Sequence, residues 1–445
     1  MMYSVTNKWS LLTISAIIYS LAFVYGNIFW WLTFLFLVPL IYCALHYNLS
    51  FKEGYYWGFL MLTLHMHGVL YSVMCMAEGP FYCRIIPSLV CVAYASFYSA
   101  FFFWLGNSVA RKNLLIWILI FWSYIYVMEH YCLWIFGICE GYFLIHPLLP
   151  LAHYPQLLWL LPYVGKSFLT LILVMISAIM SAVCYKFNGT KLLYVVLLSL
   201  FFVPGLFIVH DNSCPAWLNK IGYLPLLSYD PIQLSRMANT VGTILKEFIR
   251  EHPHVQIVIM PESALYTSAF TTIPELLKSW DSEHIGKPLH VIFGAFRWED
   301  DKRYNTLHWV YDGTLQAYYD KRHAMLLTER MPAWCDMQLV KDLYFGKEPP
   351  IAVSTTARPL LKIMPEIELV PYICSELFFN DQPDDNFEYQ TILALCNDRW
   401  IRGAYVADLM YLIARFKAVQ WQRDIVYISY THAGFVGKYG VECSI

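Results

Sequence analysis

From Trp9 to Val209 the chain is built of apolar runs separated by short polar joints, and this pattern restricts the fold more than any other feature. The runs are Trp9–Gly26, Ile28–Tyr47, Gly54–Cys75, Ile85–Leu105, Leu114–Met128, Val164–Tyr185 and Leu192–Val209. A bilayer span takes about 20 predominantly apolar residues. The fifth run is short unless it continues to Phe136. The composition agrees with a membrane-embedded chain: 58% of the 445 residues are hydrophobic and 14% charged, against about 45–50% and 25% in soluble domains. A net charge of −2 provides no basic field for nucleic acid. Charged residues become frequent only after Asp211. The expectation is a membrane α-helical bundle of about seven transmembrane helices over residues 1–210 and a globular α/β domain over 211–445.

The basic residues alternate between the joints. With the N-terminus in the cytoplasm, Lys8, Lys52, Arg111, Lys112, Lys186 and Lys191 fall on the cytoplasmic side, and Arg84 and Lys166 on the other. That asymmetry satisfies the positive-inside rule. An odd number of spans then delivers the globular half outside, in the periplasm of a Gram-negative cell. Lys8 precedes an apolar run without a small-residue cleavage pattern, so no cleavable signal is expected. Gly141–Tyr163 is broken by Pro147, Pro150, Pro155 and Pro162 and reads as an interfacial or re-entrant segment. Glu129 ends the fifth run; a carboxylate there is either a functional group or a solvated interface residue.

In the second half, short apolar runs alternate with helical patterns, as in layered α/β folds. Strands are expected at Val255–Met260, His290–Phe296, Glu368–Ile373, Thr391–Leu395 and Ile425–Tyr430, and a helix at Tyr405–Gln422. Thr306–Tyr311 and Thr314–Tyr319 flank Asp312-Gly313, a strong hairpin signal. Polar residues recur at strand ends, where α/β proteins place their sites.

Three of these strand ends carry reactive groups: Glu262, Lys321 and Cys374. A nucleophilic cysteine needs a base or a positive neighbour. A glutamate can take its proton and return it to a leaving group, and an ammonium can stabilise an oxyanion. Together they suffice for acyl transfer through a thioester. Singly, Glu262 reads equally as a helix cap, Lys321 as a surface charge and Cys374 as a core thiol. The twelve cysteines show no paired spacing; Cys43, Cys75, Cys83, Cys91, Cys132, Cys139 and Cys184 lie in or beside apolar runs as small buried hydrophobes. Neither CxxC nor HExxH occurs, so no zinc site and no cofactor are expected.

Pro261-Glu262-Ser263-Ala264, Tyr319-Asp320-Lys321-Arg322-His323 with Glu329 beyond it, and Ile373-Cys374-Ser375-Glu376 resemble the Glu-Lys-Cys motifs of the nitrilase (carbon–nitrogen hydrolase) superfamily. The longer pattern resembles its membrane branch, the apolipoprotein N-acyltransferases. Asn397-Asp398-Arg399-Trp400 looks like that branch's Asn-Asp-x-Trp segment, and Ala414-Arg415-Phe416-Lys417-Ala418 like its Ala-Arg-x-Arg-Ala helix. Glu129 and the Gln156–Phe168 region also look like the family. The resemblance implies a nitrilase-like αββα sandwich at the outer face of the bacterial inner membrane. It implies Cys374 as nucleophile, Glu262 as general base and Lys321 as oxyanion stabiliser. Glu329 and Glu376 would be supporting carboxylates, and Asn397, Trp400 and Glu129 candidate substrate-binding residues. The implied partners are a phosphatidylethanolamine-like acyl donor and the amine of a diacylglyceryl-cysteine lipoprotein.

The chain departs from the family at Ser375, where tyrosine is usual, and at Gly137-Ile138-Cys139-Glu140, which replaces a Gly-Phe-Pro-Trp loop. It ends at Ile445, where the family continues with more strands and an eighth span, so a shortened relative is expected. A related membrane amidase or acyltransferase serving conjugation or another envelope task is the alternative. A lipid substrate predicts an apolar groove at Cys374, with Leu265, Tyr266, Phe270, Met325, Leu326, Leu327, Phe378 and Phe379 near the motifs.

Overall fold

The computed structural model describes residues 2–76, 81–110, 113–131, 143–185, 189–207, 213–225, 234–265, 277–325, 329–330, 350–379, 391–399 and 404–445. The N-terminal part is helical, with helices Met2–Val24, Leu37–His46, Phe51–Met76, Phe81–Val109, Leu114–Tyr131, Leu161–Tyr185 and Gly189–Ser199. Among the described residues, four stretches are long and apolar enough to cross a membrane: Gly26–His46, Ser88–Val109, Leu114–Tyr131 and Leu161–Cys184. Lys8–Val24 and Thr190–Ser199 are apolar but shorter. The last expected span is therefore a shorter helix, followed by the 3-10 turn Val203–Phe207.

The described part of the proline-broken segment forms no continuous helix before Leu161. Phe143–Ile145, Leu149–His153 and Pro155–Leu158 form separate 3-10 turns rather than a helix, since each proline removes a backbone donor. Leu148, Leu149, Leu151 and Ala152 are fully buried.

The second part has two six-stranded sheets. The first has the order β1–β2–β3–β4–β5, with β6 (Ile351–Ala352) beside β4. Here β1 is Ile221–Tyr223, β2 Ile257–Ile259, β3 His290–Glu299, β4 Lys302–Tyr311 and β5 Thr314–Asp320. β1, β2 and β3 are mutually parallel; β3–β4–β5 form an antiparallel meander. The expected hairpin joins β4 to β5, with Asp312 and Gly313 at φ +46° and +71°, the left-handed conformation of a two-residue turn. The second sheet has the order β12–β11–β10–β9–β8–β7. Its strands are β7 Leu361–Met364, β8 Ile367–Ile373, β9 Thr391–Leu395, β10 Ile425–Ile428, β11 Ala433–Val436 and β12 Glu442–Ser444. β8, β9 and β10 run parallel.

Alternation along the strands sets the layers, because successive side chains point to opposite faces. Ile257, Ile259 and Ile292 join one core with Leu369 and Leu393 of the second sheet, whose other face carries Tyr372 against Trp421. Val258, Met260, Val291 and Phe293 face the other way, onto Val241, Leu245 and Ile249 of the helix Leu234–Glu251. The helix Ala404–Trp421 lies against the second sheet and shares the larger core, through Ile413, Phe416 and Ala418, with the N-terminal helices. The order of layers is helix, sheet, sheet, helix.

The helix Ala404–Trp421 also joins the two parts by specific bonds. Tyr405 Oη accepts from the backbone N–H of Gly68 at 2.7 Å. Any side chain at Gly68 would collide with that ring, since a Cβ would lie 2.6 Å from it. Arg415 Nη2 donates to the carbonyl of His153 at 3.1 Å.

One link has no counterpart in the sequence reading, which paired no cysteines. Cys214, ahead of β1, forms a disulfide with Cys443 in β12, 229 positions along the chain, with Cα atoms 6.2 Å apart. No local spacing announces a pair that distant; the sheets bring it together.

Candidate functional site

β2, β5 and β8 all end at one place. Glu262 follows β2 through Met260-Pro261. There β3 passes so close that a Cβ at Gly294 would lie 2.6 Å from the Glu262 Cα, so only glycine fits. Lys321 follows β5, and its backbone N–H bonds to the carbonyl of Asn305 at 2.8 Å. Cys374 follows β8 at φ +49°, a conformation that costs a residue with a Cβ about 1–3 kcal/mol. The chain then turns at once into the 3-10 helix Cys374–Phe378. This sharp exit takes the thiol out of the strand alternation and directs it at the other two groups.

Lys321 is 1% exposed and holds two carboxylates. Its Nζ lies 3.5 Å from Glu262 Oε1 and 2.9 Å from Glu329. Asn305 bridges the same carboxylates, its Nδ2 donating to Glu262 at 2.6 Å and to Glu329 at 2.9 Å. The N–H of Met325 donates to Glu329 at 2.6 Å. One lysine therefore faces two glutamates and a thiol in a dry site.

The electrostatics follow from that imbalance. Burial pushes the Glu262 carboxyl up; Glu329 adds to the rise, Lys321 opposes it, and the balance lies above the usual glutamate range. Burial pulls the Lys321 ammonium down, but Glu329 and Glu262 outweigh it and hold it charged, above the lysine range. The Cys374 thiol is pushed well up by its hydrogen bond with Cys396, then by burial and by Glu262, with Lys321 opposing. The resting site thus holds a thiol, a charged lysine and a carboxylate with raised proton affinity.

Glu376 is fully buried and does a different job. Its Oε2 accepts from the N–H of Ile373 at 2.7 Å. Its Oε1 accepts from Tyr319 Oη at 2.7 Å and from the N–H of Arg322 at 2.8 Å, with Arg358 Nη2 at 3.6 Å. It ties the turn carrying the cysteine to the loop carrying the lysine. Ser375 Oγ donates to the carbonyl of His323 at 3.2 Å, a second tie between the same loops.

The remaining sequence candidates divide. Asn397 caps a local turn through the N–H of Arg399 at 3.1 Å. Its neighbour Asp398, not singled out from sequence, accepts from Ser429 Oγ at 2.7 Å and from the N–H of Tyr430 at 3.0 Å. Tyr430 Oη in turn donates to the carbonyl of Ser263 at 3.3 Å. Trp400 lies outside the described residues. Glu129 takes its partners elsewhere: an ion pair with Lys166, His146 at 3.6 Å and His130 at 3.8 Å. Of the expected groove residues, Leu265, Met325, Phe378 and Phe379 are buried; Tyr266, Phe270, Leu326 and Leu327 lie outside the described residues. Asn305 and Tyr319 were missed as site residues. The available signal for Asn305 was an amide directly ahead of Thr306–Tyr311, the first strand of the expected hairpin.

No model of a known protein family matches the chain. It is similar to the apolipoprotein N-acyltransferase of Vibrio parahaemolyticus, 24% identical over 404 residues, covering 84% of this chain and 75% of that protein. Structural overlaps are partial. Nit3 of Saccharomyces cerevisiae, a nitrilase superfamily member, aligns at 14% identity over 49% of this chain and 83% of its own, with a TM-score of 0.35. A carbon–nitrogen hydrolase from Helicobacter pylori aligns at 11% identity over 50% of this chain and 84% of its own, also with a TM-score of 0.35.

Proposed function

We propose that the chain is a membrane-bound acyltransferase of the nitrilase superfamily that moves an acyl chain from a phospholipid, through a Cys374 thioester, to the N-terminal amine of a diacylated lipoprotein. The observation that carries this reading is the convergence of Glu262, Lys321 and Cys374 at three strand ends, buried together. The same residues form ordered motifs in a chain similar to an N-acyltransferase over most of its length.

The chemistry follows from the geometry. Glu262 takes the thiol proton as Cys374 Sγ attacks the ester carbonyl of the donor. The Lys321 ammonium offsets the negative charge that develops on the carbonyl oxygen. Collapse breaks the ester C–O bond, and Glu262 returns its proton to the departing lysophospholipid alkoxide. The acceptor amine then attacks the thioester, giving a proton to Glu262, and Cys374 recovers it as the amide forms. Glu329 and Asn305 hold Lys321 and Glu262 in register; Glu376 fixes the cysteine turn.

In this reading residues 1–210 form the membrane domain with seven spans and residues 211–445 the catalytic domain on the periplasmic side of the inner membrane. The Cys214–Cys443 disulfide supports an oxidising compartment. Two experiments test the proposal. Rescue of a bacterium depleted of its own apolipoprotein N-acyltransferase by this chain, and failure of Cys374→Ala to rescue, is the expected result. A palmitate-sized thioester found on Cys374 without rescue would redirect the acceptor to another envelope amine, and absence of any acyl adduct during turnover would sink the proposal. A reporter active only outside the cytoplasm, fused after Ile445, should be active; the opposite result would overturn the orientation.

A further inference from the structure

The chemistry above leaves one reactive group of the site unused, the thiol of Cys396. β8 and β9 run parallel with Ile373 opposite Leu395, so Cys374 and Cys396, the residues that leave the two strands, start from neighbouring backbone positions. Neighbouring strands lie about 4.8 Å apart, inside the Cα–Cα range of about 4.4–6.8 Å that a disulfide spans. Both thiols are free and 4% and 1% exposed, and Cys396 is the largest influence raising the Cys374 thiol. The position of Cys396 is firmly set, since its N–H bonds to the carbonyl of Ile428 at 2.7 Å.

We propose that Cys374 and Cys396 form a dithiol modification site for hydroperoxides, which close it to a reversible intramolecular disulfide. Glu262, beside Cys374, takes the thiol proton. The thiolate attacks one peroxide oxygen, the O–O bond breaks, and the departing oxygen takes the proton and leaves as water or an alcohol. Cys374 is then a sulfenic acid. Cys396 Sγ attacks Cys374 Sγ; the S–S bond forms, the S–O bond breaks, and hydroxide leaves as water with the Cys396 proton. The two thiols lose two electrons in all, and the one O–O bond gains them. An external dithiol reverses the closure by thiol–disulfide exchange. Cys396 so stops the oxidation of Cys374 at the disulfide, one step before the irreversible sulfinic acid. That closure silences acyl transfer rests on the proposed function; closure itself does not.

The test uses the full chain in detergent, in a background with the exposed Cys75 and Cys184 changed to serine. Stoichiometric hydrogen peroxide is added and the protein is peptide-mapped by mass spectrometry without reduction. The expected product links the Cys374 and Cys396 peptides, lighter by two hydrogens and restored by dithiothreitol, with Cys214–Cys443 unchanged. Cys396→Ser, and Cys396→Ala beside it, should give no link and accumulate sulfinic acid on Cys374. Sulfinic acid forming as fast in the parent as in these variants, or no oxidation of either thiol, overturns the inference. Linkage in a chain that never acylates leaves this site standing and removes the acyltransferase reading; acylation without linkage does the reverse.

Discussion

Among the described residues, the buried carboxylate–lysine clusters around Glu129 and around Glu262 differ in balance. In the membrane part, Glu129 is 4% exposed and pairs with Lys166, with His146 and His130 close by; positive and polar partners surround one carboxylate. At the strand ends, one lysine serves two carboxylates, Glu262 and Glu329, and a thiol on a strained turn stands beside them. Burying an ion pair seldom stabilises a fold over apolar packing, but breaking one is costly. The compensated cluster is therefore read as an anchor and the overcharged one as chemistry. The two are close to one another through Lys417. Its Nζ donates to the carbonyl of Phe379, at the end of the cysteine turn, at 3.1 Å. Burial, then Lys166, lowers its ammonium well below the lysine range while Glu129 opposes.

The sharpest break between the clusters is Cys374→Ala. It should abolish acyl-enzyme formation while the protein still inserts and folds, read by mass spectrometry and by a melting curve in detergent. Next, Glu262→Gln and Lys321→Ala should each lower the acylation rate at least about 10²-fold, the lower range for losing a proton-transfer group or an oxyanion donor. A loss of only about tenfold in either would move that residue to the anchoring class. A smaller effect comes from pH. Glu262 acts only when ionised and its proton affinity is raised, so the acid limb of the acylation profile should lie above the ordinary glutamate value of 4.5. Activity falls as pH drops through that limb. Lys321, raised above its ordinary 10.5, stays charged and contributes no alkaline limb below that value. A limb at or below the ordinary glutamate value would contradict the buried assignment. The smallest expected effect on chemistry is that of Glu129→Gln. It should destabilise the fold by about 3–5 kcal/mol, as loss of one partner of a buried pair does, with the acylation rate per folded molecule unchanged. Slower acylation at an unchanged melting temperature would make Glu129 a substrate contact instead.

Most strands of the globular part were legible because their signals are local. Asp312-Gly313 specified the β4–β5 turn by its need for positive φ, and the apolar runs Val255–Met260 and Thr391–Leu395 read as strands. The three reactive residues were legible as strand-end groups and as motifs. Asn305 was not: its amide looks like any polar residue in a strand until Glu262 and Glu329 converge on it. The apolar runs were legible, yet among the described residues length and composition single out four helical stretches, because turns such as Val203–Phe207 interrupt a run without changing its hydrophobicity.

The sequence by itself determined the elements whose causes lie within a few residues: apolar runs of bilayer length, hairpin chemistry, and strands closing on Glu262, Lys321 and Cys374. Tertiary structure alone decided which of these groups meet. The Cys214–Cys443 bridge, the sharing of Lys321 between two carboxylates, and the exit of Cys374 beside Cys396 from adjacent strands all depend on strand order and register. Those are set by burial over the whole sheet, and a linear pattern of side chains does not carry that long-range information.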